Sequence, residues 1–386
     1  MRVLISGGGT GGHIYPALAV ATQLQQTYDA TILYLGSDDG LETELVPAAG
    51  FRLATIKAGK LQRYLSWRTV AGVTRVPVGM AQAVSVVGRF RPQVAFTSGG
   101  YVAVPAGLAA RLHGVPLLMH QQDVPPNLSN KLIAPIATRI SVAFADSQRY
   151  FSARKTLLLG NPLRQAILDV RQVTAEEARV TLGFAPEMPL VVVTGGSQGA
   201  RHLNMVVARA LPQLLTFCQV LQISGQKLFA ETRTESEQAL ADVDAETRSR
   251  YRLEPYLSEE MPLALQAASL VVCRAGAATL SELAVLGKAS ILVPLPPAIG
   301  SSPQETNAAT FAQKQAADVI RNIDLKPELL VERIRYIVTN SQYANAMMEA
   351  VRGFARPAAT QEIVETVVEM ARVAGAQVPE HKGINV

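Results

Sequence analysis

The sequence is poor in cysteine. Of its 386 residues only two are cysteines, Cys218 and Cys273, and they stand far apart. This excludes a disulfide framework, and the two residues lack the spacing of a metal site, which suits a reducing cytosol. We predict that both cysteines lie in the core.

Long apolar runs are also missing. No window approaches the roughly 20 apolar residues that a membrane-spanning helix needs. At the N-terminus, Arg2 precedes only a few apolar residues before a run of glycines, so no secretory signal is expected. The sequence therefore predicts a soluble protein, or one that is at most peripheral to a membrane.

Acidic residues are absent from one long segment. Residues 45–122 contain no Asp or Glu but nine Lys and Arg residues. The net charge of +5 is therefore unevenly distributed, because residues 1–164 hold 16 basic and 7 acidic residues while the remainder is net acidic. We expect the N-terminal half to seek anionic partners.

The basic segment fits more than one kind of surface. Residues 57–92 mix Lys and Arg with apolar residues such as Trp67 and Val73, which is typical of a surface lying on anionic lipid. They also fit a helix that packs its apolar side on a sheet, and Pro77 is expected to interrupt any single long helix. Nucleic acid is not predicted as a partner, because interleaved aromatic residues and a recognised binding module are lacking.

Short apolar runs alternate with helical-period segments, the pattern of βα units in parallel sheets. The pattern restarts after residues 160–162, where Gly, Asn and Pro interrupt it. We predict two doubly wound α/β domains facing across a cleft, residues 1–163 and 164–355, and a C-terminal helix and frayed tail within residues 356–386 that packs back on the first domain. The predicted strands are residues 3–6, 31–35, 52–56, 94–97, 116–119, 157–159, 190–194, 219–223, 270–273 and 290–293.

Three glycine turns follow predicted strands. The first, residues 7–12, holds five glycines; the second, residues 195–199, includes Ser197; the third contains Gly99 and Gly100. Glycines let backbone N–H groups approach an anion, and the start of a following helix adds partial positive charge. We expect two phosphorylated ligands in one cleft, although each glycine could equally serve only a tight turn.

The first turn also fits a dinucleotide site, because Gly7, Gly9 and Gly12 have the fingerprint spacing. The acid that this fingerprint requires is poorly matched, since Asp38 and Asp39 lie further along than usual. An NAD-dependent enzyme is therefore the less favoured interpretation.

His13 stands at the start of the helix that follows the first turn, with Pro16 expected near its first turn. The helix dipole lowers the proton affinity of such a histidine, so that it stays neutral and can act as a general base. The alternative is a histidine that merely bonds to a backbone carbonyl.

The segment "GGGTGGHIYPALAVA" resembles the first glycine loop of the MurG family, UDP-GlcNAc transferases that act on undecaprenyl-diphosphate-MurNAc-pentapeptide in cell-wall synthesis. Further matches follow in the family's order: "SGGYVAVPAG", "GNPLR", "VTGGSQGARHLN" and "CRAGAATLSELAVLGKASILVP". The resemblance spans residues 2–314. It implies a GT-B glycosyltransferase whose two Rossmann-like domains hold the nucleotide sugar in the C-terminal half and the lipid-linked acceptor in the N-terminal half.

The resemblance also implies roles for single residues. Glu282 would hold the ribose hydroxyls, Ser197 and its turn the donor diphosphate, and His13 would stand near the acceptor hydroxyl. The other implied contacts are Arg164 and the backbone near Leu257 for the uracil; Ala277, Ala278, Thr279, Leu280 and Ser281 for sugar and diphosphate; Gln304 for the GlcNAc hydroxyls; and Thr10, Gly11 and Gly12 for the donor from the opposite domain.

The motif "GAATLSE" makes chemical sense by itself. A turn opening a helix points N–H groups at an anion, and Glu282 can accept from two vicinal hydroxyls. Thr279 and Glu282 equally fit the spacing of a capping box. Both interpretations stay open, as does that of Gln304 as a solvated loop amide.

The chain departs from the family's pattern at three positions. "HQQD" stands where the family has "HEQN", so Gln121 replaces a glutamate and Asp123 an asparagine expected near the sugar. Gln121 cannot act as acid or base, and an ionised Asp123 cannot donate a hydrogen bond. Pro303 stands where the family typically has His or Gln. Donor-sugar specificity and turnover are therefore left open.

The resemblance implies inverting transfer of GlcNAc from UDP-GlcNAc to the 4-hydroxyl of MurNAc in the lipid-linked pentapeptide. His13 is the candidate base, and the glycine turns would meet the diphosphate charge in place of a metal. No metal or cofactor is predicted. The implied partners are UDP-GlcNAc, the undecaprenyl-diphosphate-linked muropeptide and the anionic cytoplasmic face of the bacterial plasma membrane, with cell-wall and division proteins as further candidates. The alternatives are a related GT-B transferase with another lipid or glycan acceptor, and a catalytically weakened UDP-sugar-binding scaffold.

Overall fold

The computed structural model describes residues 1–9, 11–58, 67–296 and 304–378, and for residues 67–76 only the backbone is described. The chain divides into two compact units. Unit 1 comprises residues 1–164 and 356–386, and unit 2 comprises residues 165–355. Over the described ranges, no helix is both long enough and apolar enough to cross a bilayer.

Unit 1 is built on a parallel sheet. Its strands are β1 (Arg2–Ser6), β2 (Thr31–Ser37), β3 (Arg52–Ile56), β4 (Val94–Thr97), β5 (Leu117–Gln121), β6 (Arg139–Val142) and β7 (Thr156–Leu158). The connecting helices are α1 (Gly11–Tyr28), α2 (Glu42–Ala48), α3 (Trp67–Phe90), α4 (Ala103–Leu112) and α5 (Leu128–Ile133), with a 3₁₀ helix over Ala145–Tyr150. The strand order is β3-β2-β1-β4-β5-β6-β7.

Unit 2 repeats this architecture. Its strands are β8 (Leu190–Thr194), β9 (Gln219–Ile223), β10 (Tyr251–Glu254), β11 (Leu270–Cys273), β12 (Ser290–Leu292) and β13 (Asp318–Val319), in the order β10-β9-β8-β11-β12-β13. Its helices are α6 (Gln165–Asp169), α7 (Ala175–Thr181), α8 (Arg201–Leu214), α9 (Phe229–Ala239), α10 (Ala245–Arg248), α11 (Met261–Ala267), α12 (Ala277–Leu286), α13 (Gln304–Gln313), α14 (Pro327–Thr339) and α15 (Ser341–Arg352). Short 3₁₀ helices span Val170–Gln172 and Gln226–Leu228.

The last helix, α16 (Ala359–Val373), belongs to unit 1. Its apolar residues Ile363 and Val367 share one buried cluster with Ile14 of α1 and Val3 of β1. The tail was expected to fray, but Ala376 and Val378 also pack against this cluster. Residues 379–386 lie outside the described residues.

Both faces of the unit 1 sheet are covered. Along β1, Val3 and Ile5 point to the side that α1 and α16 cover, whereas Leu4 points to the opposite cluster, which includes Ala103 of α4. This alternation follows from the two-residue period of a strand. Because both sides are buried, the strands read as continuous apolar runs. Cys218 and Cys273 are buried in unit 2, as predicted.

Each sheet has one place where neighbouring strands lead into connections that run in opposite directions. In unit 1 it lies between β1 and β4, and in unit 2 between β8 and β11. In doubly wound sheets, ligands bind outside the carboxyl ends of the strands at such a switch point. These two edges therefore locate the candidate sites.

Every predicted strand is present, and three strands were missed. β6 and β10 are four residues long and carry Arg139, Arg252 and Glu254, and β13 has only two residues at the sheet edge. β5 begins after Pro116, which cannot donate to the ladder, and runs on to Gln121.

Two predictions about prolines are wrong. Helix α3 continues through Pro77, and Pro16 is the sixth residue of α1 instead of a first-turn residue. Tertiary packing explains the first case, because a Cβ on Gly79 would come within 2.4 Å of the Lys57 carbonyl oxygen, so the helix lies directly on this backbone. The side chains of Trp67 and Val73 lie outside the described residues.

Candidate functional site

At the unit 1 switch point, the first glycine turn lies against the third. A Cβ on Gly100 would come within 2.2 Å of the Gly8 carbonyl oxygen, so the two backbones touch. Tyr34 donates from its hydroxyl to the Gly7 carbonyl (2.6 Å), and the Gly8 amide donates to the Gly99 carbonyl (3.4 Å). These contacts fix the turn against its neighbours.

His13 projects from the first turn of α1 into this edge. Its Nδ1 lies 2.9 Å from the carbonyl oxygen of Ser98 and 3.1 Å from the amide nitrogen of Gln122. A proton on Nδ1 lets the ring donate to the Ser98 carbonyl, which can only accept. The Gln122 amide nitrogen donates to the same carbonyl (3.1 Å), and the Ser98 hydroxyl donates to the His13 carbonyl (2.6 Å). In the tautomer with the proton on Nδ1, the lone pair is on His13 Nε2, where it can accept a proton.

Burial lowers the pKa of His13 below its ordinary value of 6.5. The charge of Asp123 and the hydrogen bond to Ser98 act in the opposite direction and do not outweigh it. His13 is therefore neutral near pH 7, which a base requires. The carbonyl contact that was considered as an alternative to catalysis is present, and the base role stays a prediction.

Gln121 is buried, and its side chain has a structural role. Its amide nitrogen donates to the carbonyls of Asp123 (2.7 Å) and Pro125 (3.3 Å), and its oxygen accepts from Asn130 (2.7 Å). An ionised glutamate could not make the two donated bonds. Gln121 thus holds the loop that carries Asp123.

His120, on the same strand, is buried between two polar partners. Its Nε2 lies 2.9 Å from Asn161 Oδ1, an acceptor, and its Nδ1 lies 2.9 Å from the Ser141 hydroxyl. Burial is the main cause that lowers the pKa of His120 to about 4. This ring is neutral and ties the end of β5 to the motif "GNPLR".

At the unit 2 switch point, the second glycine turn joins β8 to α8. Gly199 has φ +74°, and a Cβ there would come within 2.2 Å of the Ser224 carbonyl oxygen, so only glycine fits. Ser197 is exposed in this turn. Helix α8 begins after Ala200 with no side-chain cap and no acidic residue in its first turn.

Helix α12 begins the same way. Its N-cap is Gly276, which has no side chain, and its first turn has no acidic residue. Thr279 lies inside the first turn, so the capping-box interpretation of Thr279 and Glu282 is wrong. The amides of Ala277 and Ala278 therefore open this helix without a side-chain partner, because the first amides of a helix have no intrahelical acceptor.

Two of the residues predicted to line the ligand are buried and make hydrogen bonds within α12. Leu280 is fully buried, and its amide donates to the Gly276 carbonyl (3.0 Å). The Ser281 hydroxyl donates to the Ala277 carbonyl (2.8 Å). Glu282 is half-buried. Burial is the main cause that raises the pKa of Cys273 to about 12, and the charge of Glu282 is the second cause. The Glu282 carboxylate therefore lies near the end of β11.

Helix α13 holds the loops after β11 and β12. The Gln304 side-chain oxygen accepts from the Leu295 amide (2.9 Å), and the Asn307 amide nitrogen donates to the Ala275 carbonyl (3.1 Å). Arg274 donates to the carbonyl of Val293 (2.9 Å). The loop before α12 is thus fixed from two sides.

The remaining predicted residues belong to both units. Leu257 is buried in unit 2 after β10, and Arg164 belongs to unit 1, where its guanidinium lies 5.6 Å from the Tyr15 ring centre. Gly11 and Gly12 open α1. Thr10 and Pro303 lie outside the described residues. In the described ranges, no three His, Cys, Asp or Glu residues come together as a metal site.

Family models match both units. Residues 3–142 match the glycosyltransferase family 28 N-terminal domain, and residues 190–363 match the corresponding C-terminal domain. The UDP-N-acetylglucosamine--N-acetylmuramyl-(pentapeptide) pyrophosphoryl-undecaprenol N-acetylglucosamine transferase of Caldanaerobacter subterraneus subsp. tengcongensis is 38% identical, over 95% of this chain and 99% of its own. The Desulforudis audaxviator enzyme of the same name is 38% identical over 96% and 99%. The chain belongs to the MurG family.

Solved structures agree with this assignment. The crystal structure of Acinetobacter baumannii MurG is 28% identical, covers 95% of this chain and 99% of its own, and superposes with a TM-score of 0.73. A UDP-GlcNAc 2-epimerase from Neisseria meningitidis, 13% identical over 96% and 100% with a TM-score of 0.67, shares the fold alone. The predicted GT-B architecture and glycosyltransferase class are confirmed.

Sequence reasoning missed several residues of this MurG family member. Ser98 and Gln122 orient His13, yet their sequence signal was only that they lie in the quoted motifs "TSGGY" and "HQQD". Asn307 lies in "PQETNA" three residues after Gln304, a spacing that puts both on one side of α13. Arg274 directly follows β11, where switch-point residues are expected.

Proposed function

We propose that this chain catalyses the step named in its MurG relatives, transfer of GlcNAc from UDP-GlcNAc to the 4-hydroxyl of MurNAc in undecaprenyl-diphosphate-linked MurNAc-pentapeptide. The observation that carries the proposal is in unit 2. Two helices, α8 and α12, begin at its switch point with no side-chain cap and no acid in the first turn. Such helix starts attract a diphosphate.

The donor is proposed to bind to these helix starts. Amides of Ala277, Ala278 and Thr279 and the turn around Ser197 would meet the diphosphate, and Glu282 would accept from the ribose hydroxyls. The Gln304 oxygen is occupied by Leu295, so its NH₂ group would meet a sugar hydroxyl. The backbone near Leu257, with Arg164, is assigned to the uracil on family resemblance.

In the reaction, the MurNAc O4 forms a bond to C1 of GlcNAc while the bond from C1 to the diphosphate oxygen breaks. His13 Nε2 takes the proton from O4, and UDP leaves. The amides of unit 2 stabilise the negative charge that develops on the leaving diphosphate. Asp123 stabilises the imidazolium that forms, since its charge raises the pKa of His13.

Unit 1 is proposed to meet the anionic cytoplasmic face of the plasma membrane, where a lipid-linked acceptor is presented. Leu128 and Leu132 are exposed one turn apart on α5, beside exposed Lys131, and Leu112 is exposed at the end of α4. Apolar side chains beside cations support an interfacial surface. Cell-wall and division proteins remain candidate partners.

One of the departures in "HQQD" has a structural explanation. Gln121 makes buried bonds that an ionised glutamate could not make, so its amide is accounted for by structure.

The test is a transfer assay with purified lipid-linked muropeptide and UDP-GlcNAc, with UDP-glucose as the control donor. We expect product from UDP-GlcNAc, and we expect Glu282→Gln to raise its KM about ten- to a hundredfold, because hydrogen bonds to a charged group are lost. Exposed Glu328→Gln is the matched control, with no change expected. UDP binding without product in any acceptor series would instead establish the scaffold alternative.

A further inference from the structure

A buried carboxylate lies beneath the first glycine turn. Glu42, the first residue of α2, is completely buried within unit 1. Among the described residues of the chain, no Lys, Arg or His lies within ion-pair distance of it. A buried charge without a cation needs hydrogen bonds to compensate for lost hydration.

Those hydrogen bonds come from two directions. Glu42 Oε1 accepts from the Ser37 amide (2.9 Å) and the Ser37 hydroxyl (2.8 Å). Glu42 Oε2 accepts a longer bond from the Gly9 amide (3.4 Å). The carboxylate thus joins the end of β2 to the glycine turn that leads into His13.

The third glycine turn is joined to the same carboxylate. Because the Ser37 hydroxyl donates to Glu42, the Tyr101 hydroxyl at 2.7 Å must donate to the Ser37 oxygen. Burial is the main cause that raises the pKa of Tyr101 to about 12, so this proton is retained. The Tyr101 ring also lies against Gly9, where a Cβ would come within 2.8 Å of it.

Glycines make room for the carboxylate. A Cβ on Gly8, Gly36 or Gly40 would come within 2.7, 2.5 or 2.2 Å of Glu42 side-chain atoms. Real Cβ contacts are never so short, so the backbone closes around Glu42 on three sides. The side chain is therefore held in one place, which a positioning role requires.

We propose that Glu42 is a positioning residue for the transfer reaction. It draws the Gly9 amide inward and fixes Tyr101, and so sets the backbone that places His13. This inference rests on the proposed function for its catalytic part. It also implies that the Gly9 amide does not bind a phosphate, because it donates to Glu42. If the first turn binds an anion, the amides at the start of α1 would be its donors.

The test variant is Glu42→Gln, which keeps the shape. Whichever way the new amide is turned, its NH₂ group faces an N–H or O–H group that donated a hydrogen bond to the carboxylate, so at least one of these bonds is lost. We expect faster hydrogen exchange in peptides covering residues 7–13, a kcat about tenfold or more lower, and a KM for UDP-GlcNAc within about twofold of wild type. Glu44→Gln, on the exposed side of the same helix, is the matched control.

Unchanged exchange in residues 7–13 would overturn the proposal, and so would faster exchange with unchanged kcat. A merely structural role would lower the melting temperature without changing kcat per folded molecule. If wild type transfers no GlcNAc, the proposed function fails, and exchange alone still decides whether Glu42 holds the turn. Should Glu42→Gln not fold, Ser37→Ala should show a smaller effect of the same kind, because it removes the hydroxyl that joins Glu42 to Tyr101 but keeps the bond from the Ser37 amide to Glu42.

Discussion

The His13 ring is oriented by two neighbours at Nδ1, the Ser98 carbonyl and the Gln122 amide nitrogen. In the tautomer that donates from Nδ1 to Ser98, the lone pair of the imidazole is on Nε2. Burial lowers the pKa of His13, which keeps the ring neutral at physiological pH. Both effects act on the same residue: this tautomer leaves Nε2 free of a proton, and the lowered pKa keeps it so at pH 7.

Replacement of His13 should remove the base. We expect His13→Ala to lower kcat/KM about 10²- to 10⁴-fold. In wild type, kcat/KM should fall only as pH drops below 6.5, because the depressed pKa keeps the base neutral down to that value. Rate measurements from pH 5 to 8 check both effects, with His113→Ala as a surface control; a variant that kept full rate at every pH would remove the assignment.

His120 makes stability depend on pH. Its pKa is about 4 in the folded protein and about 6.5 when unfolded, so between these values the unfolded state binds more protons. The free energy of unfolding should therefore fall as pH drops from 6.5 to 4, by up to about 3 kcal/mol.

Urea unfolding of wild type and His120→Gln at pH 7, 6 and 5 tests this dependence. The variant should show a shallower loss of stability with acidification, whatever its stability at pH 7. Equal slopes would contradict a neutral buried His120.

At the scale of single residues, the sequence predicted candidate roles where the chemistry depends on one residue type. His13 was predicted as a base because a histidine at a helix start is suited to proton transfer, and Glu282 was predicted to hold the ribose because the family resemblance implies it; both roles stay predictions. Ser98, Gln122 and Glu42 were not predicted, because their roles come from contacts between residues more than 30 positions apart. The burial of Leu280 and Ser281 was not predicted, because a motif does not report which side of a helix is buried.

At the scale of elements, the unit 2 glycine turn depends on close packing. Gly199 combines a positive φ with direct contact to the Ser224 carbonyl, whereas Gly183 has φ +77° and open space around its Cα. The two positions therefore separate backbone strain from steric exclusion.

We expect Gly183→Ala to cost about 1 kcal/mol of stability from strain alone. Gly199→Ala should cost about 2–5 kcal/mol, since overpacking adds to the strain. Because the turn is displaced, Gly199→Ala should also weaken UDP binding, measured by calorimetry, while Gly183→Ala should not. Equal costs for the two variants would show that the turn can move away from Ser224.

Buried central strands were predicted correctly, and exposed edge strands were missed. β1 and β8 were found because central strands of a parallel sheet are apolar throughout. β10 and β13 were missed because strands toward the sheet edge are short and partly polar. Pro77 shows the limit of local rules, since packing of α3 on the Lys57 backbone outweighs the lost hydrogen bond.

At the scale of the molecule, positive charge is concentrated in the N-terminal half. Residues 1–164 carry 16 basic and 7 acidic residues. Exposed leucines on α4 and α5 lie in the same unit. Composition alone indicated this asymmetry, but the exposed leucines could be found only from the structure.

Full-length protein should bind vesicles containing anionic phospholipid, less tightly at higher salt. Replacing Leu112, Leu128 and Leu132 together by Gln should weaken binding about tenfold or more, because three apolar side chains no longer enter the interface. Ile323→Gln, an equally exposed site in unit 2, is the control. Vesicle sedimentation measures this binding. If both variants lost the same amount of vesicle binding, the three leucines would not form a specific membrane surface.

The return of α16 to unit 1 has a consequence for biosynthesis. Unit 2 is one continuous stretch and can complete its core as soon as residue 355 has left the ribosome. Unit 1 is translated first, yet Val3 and Ile14 must wait for Ile363 and Val367. The half of the protein that is made earliest therefore finishes folding last, and until then it exposes an apolar surface that chaperones can recognise.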